Sequence, residues 1–167
     1  MGDGSRLAVV TDLLVREATF LDEQRWSDWL SLFDEACEYW VPSWRDDGRL
    51  VEDPRREISL FYHSSRAGLE DRVHRITSGM SPASMPLPRT AHAVSNVRLG
   101  APAADDVIRA ASTWSTDVYD PKFGESHRFF GRAEYELGRA AGAWLIRKKK
   151  TVLLNDRIAS TLDIYCI

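Results

Sequence analysis

The spacing of apolar residues changes once along this chain, and the change limits the folds open to it. Before Ala91 the clear spacings are helical; from Ala91 onward they alternate. The alternation is plainest at Phe129, Gly131, Ala133, Tyr135 and Leu137 against Arg128, Arg132, Glu134 and Glu136. A period of two puts one such set on a single strand face, whereas a period near 3.6 puts it on one side of a helix. Helices first and strands afterwards point to an α+β domain rather than to alternating βαβ units.

In the first half, Leu7, Val10, Leu14 and Leu21 fall at helical spacing, with Asp12, Arg16, Glu17 and Glu23 as the polar residues between them. Trp26, Trp29, Leu30 and Phe33 continue the period as a short second helix, and Asp34-Glu35 reads as a turn. Ala36 to Trp44 is aromatic and β-branched, as strands prefer, with Pro42 marking an edge strand or its end. The charged stretch Arg45 to Arg56 reads as an exposed loop and Ile58 to His63 as a short strand. Leu69, Val73 and Ile76 give a third helix, with His74 and Arg75 late and Gly79 past its end. Pro82, Pro86 and Pro88 then rule out a continued helix or a central strand, because proline fixes φ and lacks an N–H.

In the second half, Ile108, Ala110, Ser112, Trp114, Thr116 and Val118 form one strand face, and Trp144 to Leu154 makes a further strand. Turns are expected at Gly100-Ala101-Pro102, Asp120-Pro121-Lys122 and Gly138 to Gly142. Such short connections imply antiparallel neighbours. The expected architecture is a half-open cone, a curved antiparallel sheet wrapped around the N-terminal helices, with residues 1–167 as one domain. The run Arg147-Lys148-Lys149-Lys150 alternates sides of its strand and reads as a solvated edge that discourages strand-to-strand association.

Several function classes lose support here. A net charge of −3 argues against a nucleic-acid footprint or an anionic membrane surface. No stretch approaches the ~20 apolar residues of a membrane span, and the N-terminus lacks a basic segment followed by an apolar core. A cytoplasmic location is expected. Two cysteines, Cys37 and Cys166, are too few for a disulfide framework. Neither has a histidine at the close spacing of Rieske ligand pairs. Asp71 and His74, at i, i+3, form the only local carboxylate–histidine pair, and no second histidine follows to complete an iron-binding triad. Phosphate loops, nucleophile elbows and H-E-x-x-H are absent from the sequence. Acid–base chemistry inside the cone would fall to Tyr39, His63, His92 or Asp117, whose plain alternative is hydrogen bonding within the core.

Many short motifs, in order, carry a resemblance over nearly the whole chain. They are Glu17-Ala18 with Leu21-Asp22, Trp29-Leu30, Glu38-Tyr39-Trp40-Val41-Pro42-Ser43-Trp44, and Glu52-Asp53-Pro54 leading to Glu57-Ile58-Ser59-Leu60. Gly68-Leu69-Glu70-Asp71-Arg72-Val73, Arg89-Thr90 with His92, and Ser95-Asn96-Val97 follow. Leu145-Ile146-Arg147-Lys148-Lys149, Asn155-Asp156 and Asp163-Ile164-Tyr165 complete the set. In these the sequence resembles the small (beta) subunits of aromatic-ring-hydroxylating dioxygenases, most closely those acting on benzoate or toluate.

The resemblance implies a cone of the nuclear transport factor 2 type (NTF2-like, SnoaL-like), shared with scytalone dehydratase and ketosteroid isomerase. It implies a structural role with no catalytic, cofactor or metal residue in this chain. The Rieske [2Fe–2S] cluster and the mononuclear Fe(II) are expected in a large alpha subunit, with electrons from NADH through a separate reductase. Self-association as a trimer within an alpha3beta3 hexamer is expected too. Tyr39, Trp40, Trp44, Arg45, Arg89, His92 and Asn96 are the expected subunit-interface residues. Two other classes remain open: a free-standing isomerase or dehydratase using a cavity His, Asp or Tyr, and a module that binds an aromatic ligand without converting it. An open cone with a water-accessible His–Asp pair favours the enzyme; a cone packed with Trp, Phe and Leu favours the structural role.

Overall fold

The computed structural model describes residues 1–78, 85–155, 158 and 162–167. Gly79 and Pro82, expected past the third helix and in the proline stretch, lie outside the described residues. Helices α1 (Asp3–Asp22) and α2 (Trp26–Ser31) precede strands β1 (Phe33–Pro42) and β2 (Ser59–His63), then helix α3 (Arg66–Thr77). Strands β3 (Arg89–Leu99), β4 (Val107–Asp120), β5 (Glu125–Ala140) and β6 (Ala143–Leu153) follow, and a 3-10 turn spans Ile164–Cys166. All six strands form one sheet in the order β2-β1-β6-β5-β4-β3.

Helix α1 buries Val10, Leu13, Leu14, Glu17, Phe20 and Leu21, a stripe at i, i+3, i+4 spacing that lies on the sheet. The helix stops because Gln24 adopts a left-handed φ of 55°. The Arg25 N–H then donates to the Phe20 carbonyl at 2.8 Å and the Gln24 N–H to that of Leu21, which satisfies carbonyls the ended helix would leave bare. The Arg25 guanidinium also covers the Phe20 ring at 4.4 Å.

The inner face of β4 is Ile108, Ala110, Ser112, Trp114, Thr116 and Val118, all buried, as the alternation predicts. Phe129, Ala133, Tyr135 and Leu137 do the same on β5. Gly131 stands opposite Trp114, and a Cβ there would lie 1.9 Å from the Val152 carbonyl oxygen, so only glycine fits this close backbone approach. Two residues, Ala141 and Gly142, join β5 to β6 with φ of 48° and 85°. Positive φ at both positions is the turn that matches the twist of a hairpin.

The structure corrects several boundaries. Helix α1 starts at Asp3 rather than Leu7. Phe33 does not close α2; it opens β1, and Asp34-Glu35 lie within that strand, because Leu32 accepts from the Ile146 N–H and draws the chain straight onto β6. Gly138 to Ala140 belong to β5 rather than to a turn. Pro42 ends β1 at a break in register, which spares a ladder that has no use for a residue without an N–H. The antiparallel rule holds for β3 through β6, but β1 and β6 pair in parallel. That pairing overturns the reading of Arg147 to Lys150 as a solvated edge, since β6 lies between β1 and β5.

Candidate functional site

Residues on the two faces of the central strands define two regions. On the inner face, Tyr135, Lys149 and Tyr39 stand side by side across β5, β6 and β1. Glu17 descends from α1 onto this row. Its Oε1 accepts from Lys149 Nζ at 2.8 Å, and both side chains are only 4% exposed. Tyr135 donates to Glu17 Oε2 at 3.3 Å and Tyr39 to the Ile167 main-chain oxygen at 3.4 Å. The ammonium also lies 5.1 Å from the Tyr39 ring centroid and 5.9 Å from that of Tyr135. Burial alone would lower the Lys149 pKa, but the carboxylate of Glu17 overrides it and holds Lys149 well above the ordinary lysine range. Burial, reinforced by Glu17, pushes Tyr135 up, and burial pushes Tyr39 up as well. These phenols are therefore fixed as proton donors in hydrogen bonds.

Where α1 meets β3, Asp22 and His92 form a second pair. Asp22 Oδ1 lies 2.6 Å from His92 Nδ1 and accepts from Thr90 Oγ1 at 2.8 Å, while Oδ2 accepts from the His92 backbone N–H at 2.9 Å. The His92 side chain is 6% exposed and that of Asp22 27%. Burial raises the Asp22 pKa, but the His92 ring and backbone N–H together with Thr90 outweigh it and leave Asp22 below its ordinary value. An ionised carboxylate has no proton to give, so Nδ1 carries the proton in this contact.

The space inside the cone is small. The cavity bordered by His92, Trp114, Tyr135, Lys149 and Thr151 has a volume of about 20 Å³. Trp29, Phe33, Phe129, Leu14, Leu21 and Leu69 are among the fully buried side chains that fill the rest.

The outer face carries the larger concavity, a groove of about 500 Å³ across β3, β4, β5, β6 and β1. Arg109, Glu136, Lys148 and Glu38 stand in one cross-strand row of alternating sign. The next row runs through Ala111, Glu134, Lys150 and Trp40, with Arg98 beside Ala111. Arg109 reaches Glu136 at 3.3 Å, and Lys150 covers the Trp40 ring at 4.7 Å. Among the described residues Lys148 makes no ion pair, although a glutamate flanks it in register on either side.

The structure scatters the residues expected at an interface. Tyr39 and His92 point into the interior of their own chain, so neither offers its side chain to a partner. Trp40 lines the outer groove and donates from Nε1 to Ser59 Oγ at 2.8 Å. Trp44 donates to the Leu153 carbonyl at 2.7 Å. Arg45 holds Glu57 through Nε at 2.8 Å and Nη2 at 2.6 Å, and Glu57 in turn accepts from the Glu52 and Asp53 backbone N–H groups. The Arg45 to Arg56 segment is thus an ordered loop. Arg89 is exposed above the Tyr119 ring. Asn96 is exposed at a bulge of β3, with φ 51° and its amide on Thr113 Oγ1 at 2.9 Å.

Of the acid–base candidates, only His92 and Tyr39 reach the polar interior. Asp117 is exposed on the outer face, 3.6 Å from Arg128. His63 packs over Gly68, and burial together with Arg72 lowers its pKa. Asp71 and His74 sit on the exposed side of α3. The sequence reading missed Asp22, Glu17 and Lys149. Glu17 continues the Val10, Leu13, Leu14 stripe at the next turn, a signal that its charge had hidden.

Among the described residues no group of three His, Cys, Asp or Glu is arranged to hold a metal ion. The two cysteines do not suit thiolate ligation: burial pushes Cys37 up to about 11 and Cys166 to about 12. A cluster or an iron therefore has no fit among the described residues. No helix among them is long and apolar enough to cross a membrane.

Together these features define an NTF2-like cone whose interior is filled and whose outer sheet face is charged and grooved. A family model described as ring hydroxylating beta subunit matches residues 16–160, and the chain belongs to that family. It is 40% identical over 156 residues to the anthranilate 1,2-dioxygenase small subunit of Acinetobacter baylyi, covering 93% of this chain and 94% of the relative. It is also 40% identical over 163 residues to the 2-halobenzoate 1,2-dioxygenase small subunit of Burkholderia cepacia, covering 98% and 96%. The crystal structure of the benzoate 1,2-dioxygenase beta subunit from Burkholderia mallei matches with a TM-score of 0.79 at 36% identity, covering 96% of each chain. The chain is thus a component of a multi-subunit ring-hydroxylating dioxygenase.

Proposed function

We propose that this chain is the structural subunit of a cytoplasmic dioxygenase that acts on benzoate or a close derivative, and that it carries no catalytic centre of its own. The relatives are named for anthranilate, 2-halobenzoate and benzoate, which supports an aromatic carboxylate as substrate. In the whole enzyme, the large subunit would hold the Rieske cluster and the mononuclear iron. These would supply the chemistry that adds both atoms of O2 to the ring, with two electrons from NADH through a reductase and two protons, to give a cis-dihydrodiol carboxylate.

The observation that carries the structural reading is the contrast in space. The interior holds about 20 Å³ next to its ionisable groups, below the size of any aromatic acid, whereas the outer groove holds about 500 Å³. On the outer face a row that alternates in sign is complementary to a copy of itself shifted by one strand. That arrangement supports self-association, as a trimer within an alpha3beta3 hexamer, with Lys148 and Glu136 among the groups paired between copies. Trp44 and Arg45 lie beyond the end of β1, and Arg89 and Asn96 lie on β3 at the edge of the outer face, away from that row; these four are the proposed contacts to the large subunit.

One observation favours the isomerase or dehydratase reading: the Asp22–His92 pair has the geometry of an oriented base. The cavity beside it, at about 20 Å³, weighs against any organic substrate. Co-expression with a large-subunit gene, followed by mass determination and iron analysis, separates the two. An iron-free chain that joins an iron-containing hexamer, with benzoate oxidation only when both subunits and a reductase are present, is the expected result. A small oligomer that ignores the large subunit would overturn it. Trp44→Ala and Arg89→Ala variants with hexamer and turnover unchanged would remove those two residues from the interface.

A further inference from the structure

The cavity inside the cone has walls that point to its occupant. Three buried polar atoms, His92 Nε2, Trp114 Nε1 and Thr151 Oγ1, have no protein hydrogen-bond partner among the described residues. All three residues line this one cavity, which also touches Glu17, Tyr135 and Lys149. Leaving such a group unmatched costs about 1–3 kcal/mol, and folded proteins pair more than about 90% of their buried polar atoms. Three such atoms on residues that line one cavity point to a shared binding site.

The chemistry of the three atoms selects the ligand. Indole N–H only donates, so the occupant must accept. With Nδ1–H turned to the ionised Asp22, the neutral form of the His92 ring presents Nε2 as an acceptor, which calls for an occupant that also donates. A simple cation cannot accept from the indole, and a simple anion such as chloride cannot donate to the imidazole. The volume of about 20 Å³ exceeds the ~10–15 Å³ needed for one water and leaves no room for an organic molecule. The occupant must be small, neutral and both donor and acceptor.

We propose that the cone holds one buried water, which accepts from Trp114 Nε1–H and donates to His92 Nε2, with Thr151 Oγ1 as its third partner. The water lies beside His92 in the cavity that Glu17 and Lys149 also line. It also occupies the position beside His92 Nε2 that a substrate of this chain would have to take. The site stands on its own geometry, independent of how the subunits assemble.

The test uses the full chain in two forms. In a high-resolution crystal structure, ordered density is expected within hydrogen-bond distance of all three atoms; a dry cavity, or side chains rotated to pair with one another, overturns the proposal. In solution, with 15N-labelled tryptophan, the Trp114 indole N–H is expected to show a cross-peak to a long-lived water. Trp114→Phe identifies that signal by its disappearance. The near-isosteric Thr151→Val keeps the packing while deleting one partner. It is expected to lose or weaken the cross-peak, and an undiminished cross-peak removes Thr151 from the site. Absence of the cross-peak in the unsubstituted chain overturns the water altogether.

Discussion

Lys148 and Lys149 are adjacent in β6, and the sheet handles their charges in opposite ways. Lys149 faces inward, nearly excluded from solvent, and is held by Glu17 with two phenol rings around it. Lys148 faces outward among glutamates of neighbouring strands, without an ion pair among the described residues. Desolvating a charge costs several kcal/mol, so the inner lysine is tolerated only with its partner in place. The outer lysine remains hydrated and costs the fold almost nothing. The difference teaches that one basic run serves two purposes. Its inner member fixes α1 on the sheet, and its outer members leave charge available for association.

Breaking the inner half gives the largest effect. Lys149→Met strands the Glu17 carboxylate in the core and is expected to lower unfolding free energy by about 3–5 kcal/mol in denaturant titrations. Adding Glu17→Leu to it is expected to restore most of that loss, since apolar replacement of a whole buried pair is often neutral.

Asp22→Asn is expected to cost about 1–2 kcal/mol at neutral pH, because it replaces charge-assisted bonds to His92 and Thr90 with neutral ones. Asp22 is held below its unfolded value, which is about 3.9. Its contribution is therefore complete above about pH 4 and vanishes as the pH falls through the folded-state pKa, so that thermal melts of chain and variant converge in acid.

The β5–β6 hairpin tip belongs to neither face and serves as a control. Ala141→Asn suits a φ of 48° and is expected to stabilise by about 0.5–1 kcal/mol, read from the melting temperature. Lys148→Glu is expected to change folding by less than about 0.5 kcal/mol. It places like charges side by side with Glu136 and Glu38, and the proposed self-association should weaken in sedimentation; Glu136→Lys added to it should recover the association.

What the sequence made legible follows from these same forces. The inner faces of β4 and β5 were readable because Ile108 to Val118 and Phe129 to Leu137 alternate cleanly between apolar and polar residues. The inward direction of Lys149 was not, because four basic residues in succession erase the contrast on which alternation depends. Glu17 was hidden for a related reason, since a carboxylate on an apolar stripe reads as polar surface unless its cation is known, and that cation lies at the far end of the chain. The position of β6 in the middle of the sheet was equally illegible. Sequence proximity favours hairpins, and nothing local to Phe33–Pro42 says that it will pair with Ala143–Leu153. Of the expected interface residues, Trp40 and Asn96 are on the sheet surface as a strand reading allows, whereas the faces of Tyr39 and His92 depended on a register that only the assembled sheet sets.

The parallel pairing of β1 with β6 has a further consequence for biosynthesis. A ribosome delivers β1 early and β6 as the last strand among the described residues, so β1 must wait for its partner on that side while most of the chain is made. During that interval β2 can cover only one of its edges, and the row of Tyr39, Val41 and Cys37 has no completed sheet to pack into. Closure of such distant contacts is slow, and open strand edges invite aggregation. The nascent subunit should therefore be most vulnerable just before β6 emerges, which makes the timing of synthesis, as well as final stability, a determinant of how much of it reaches its assembly.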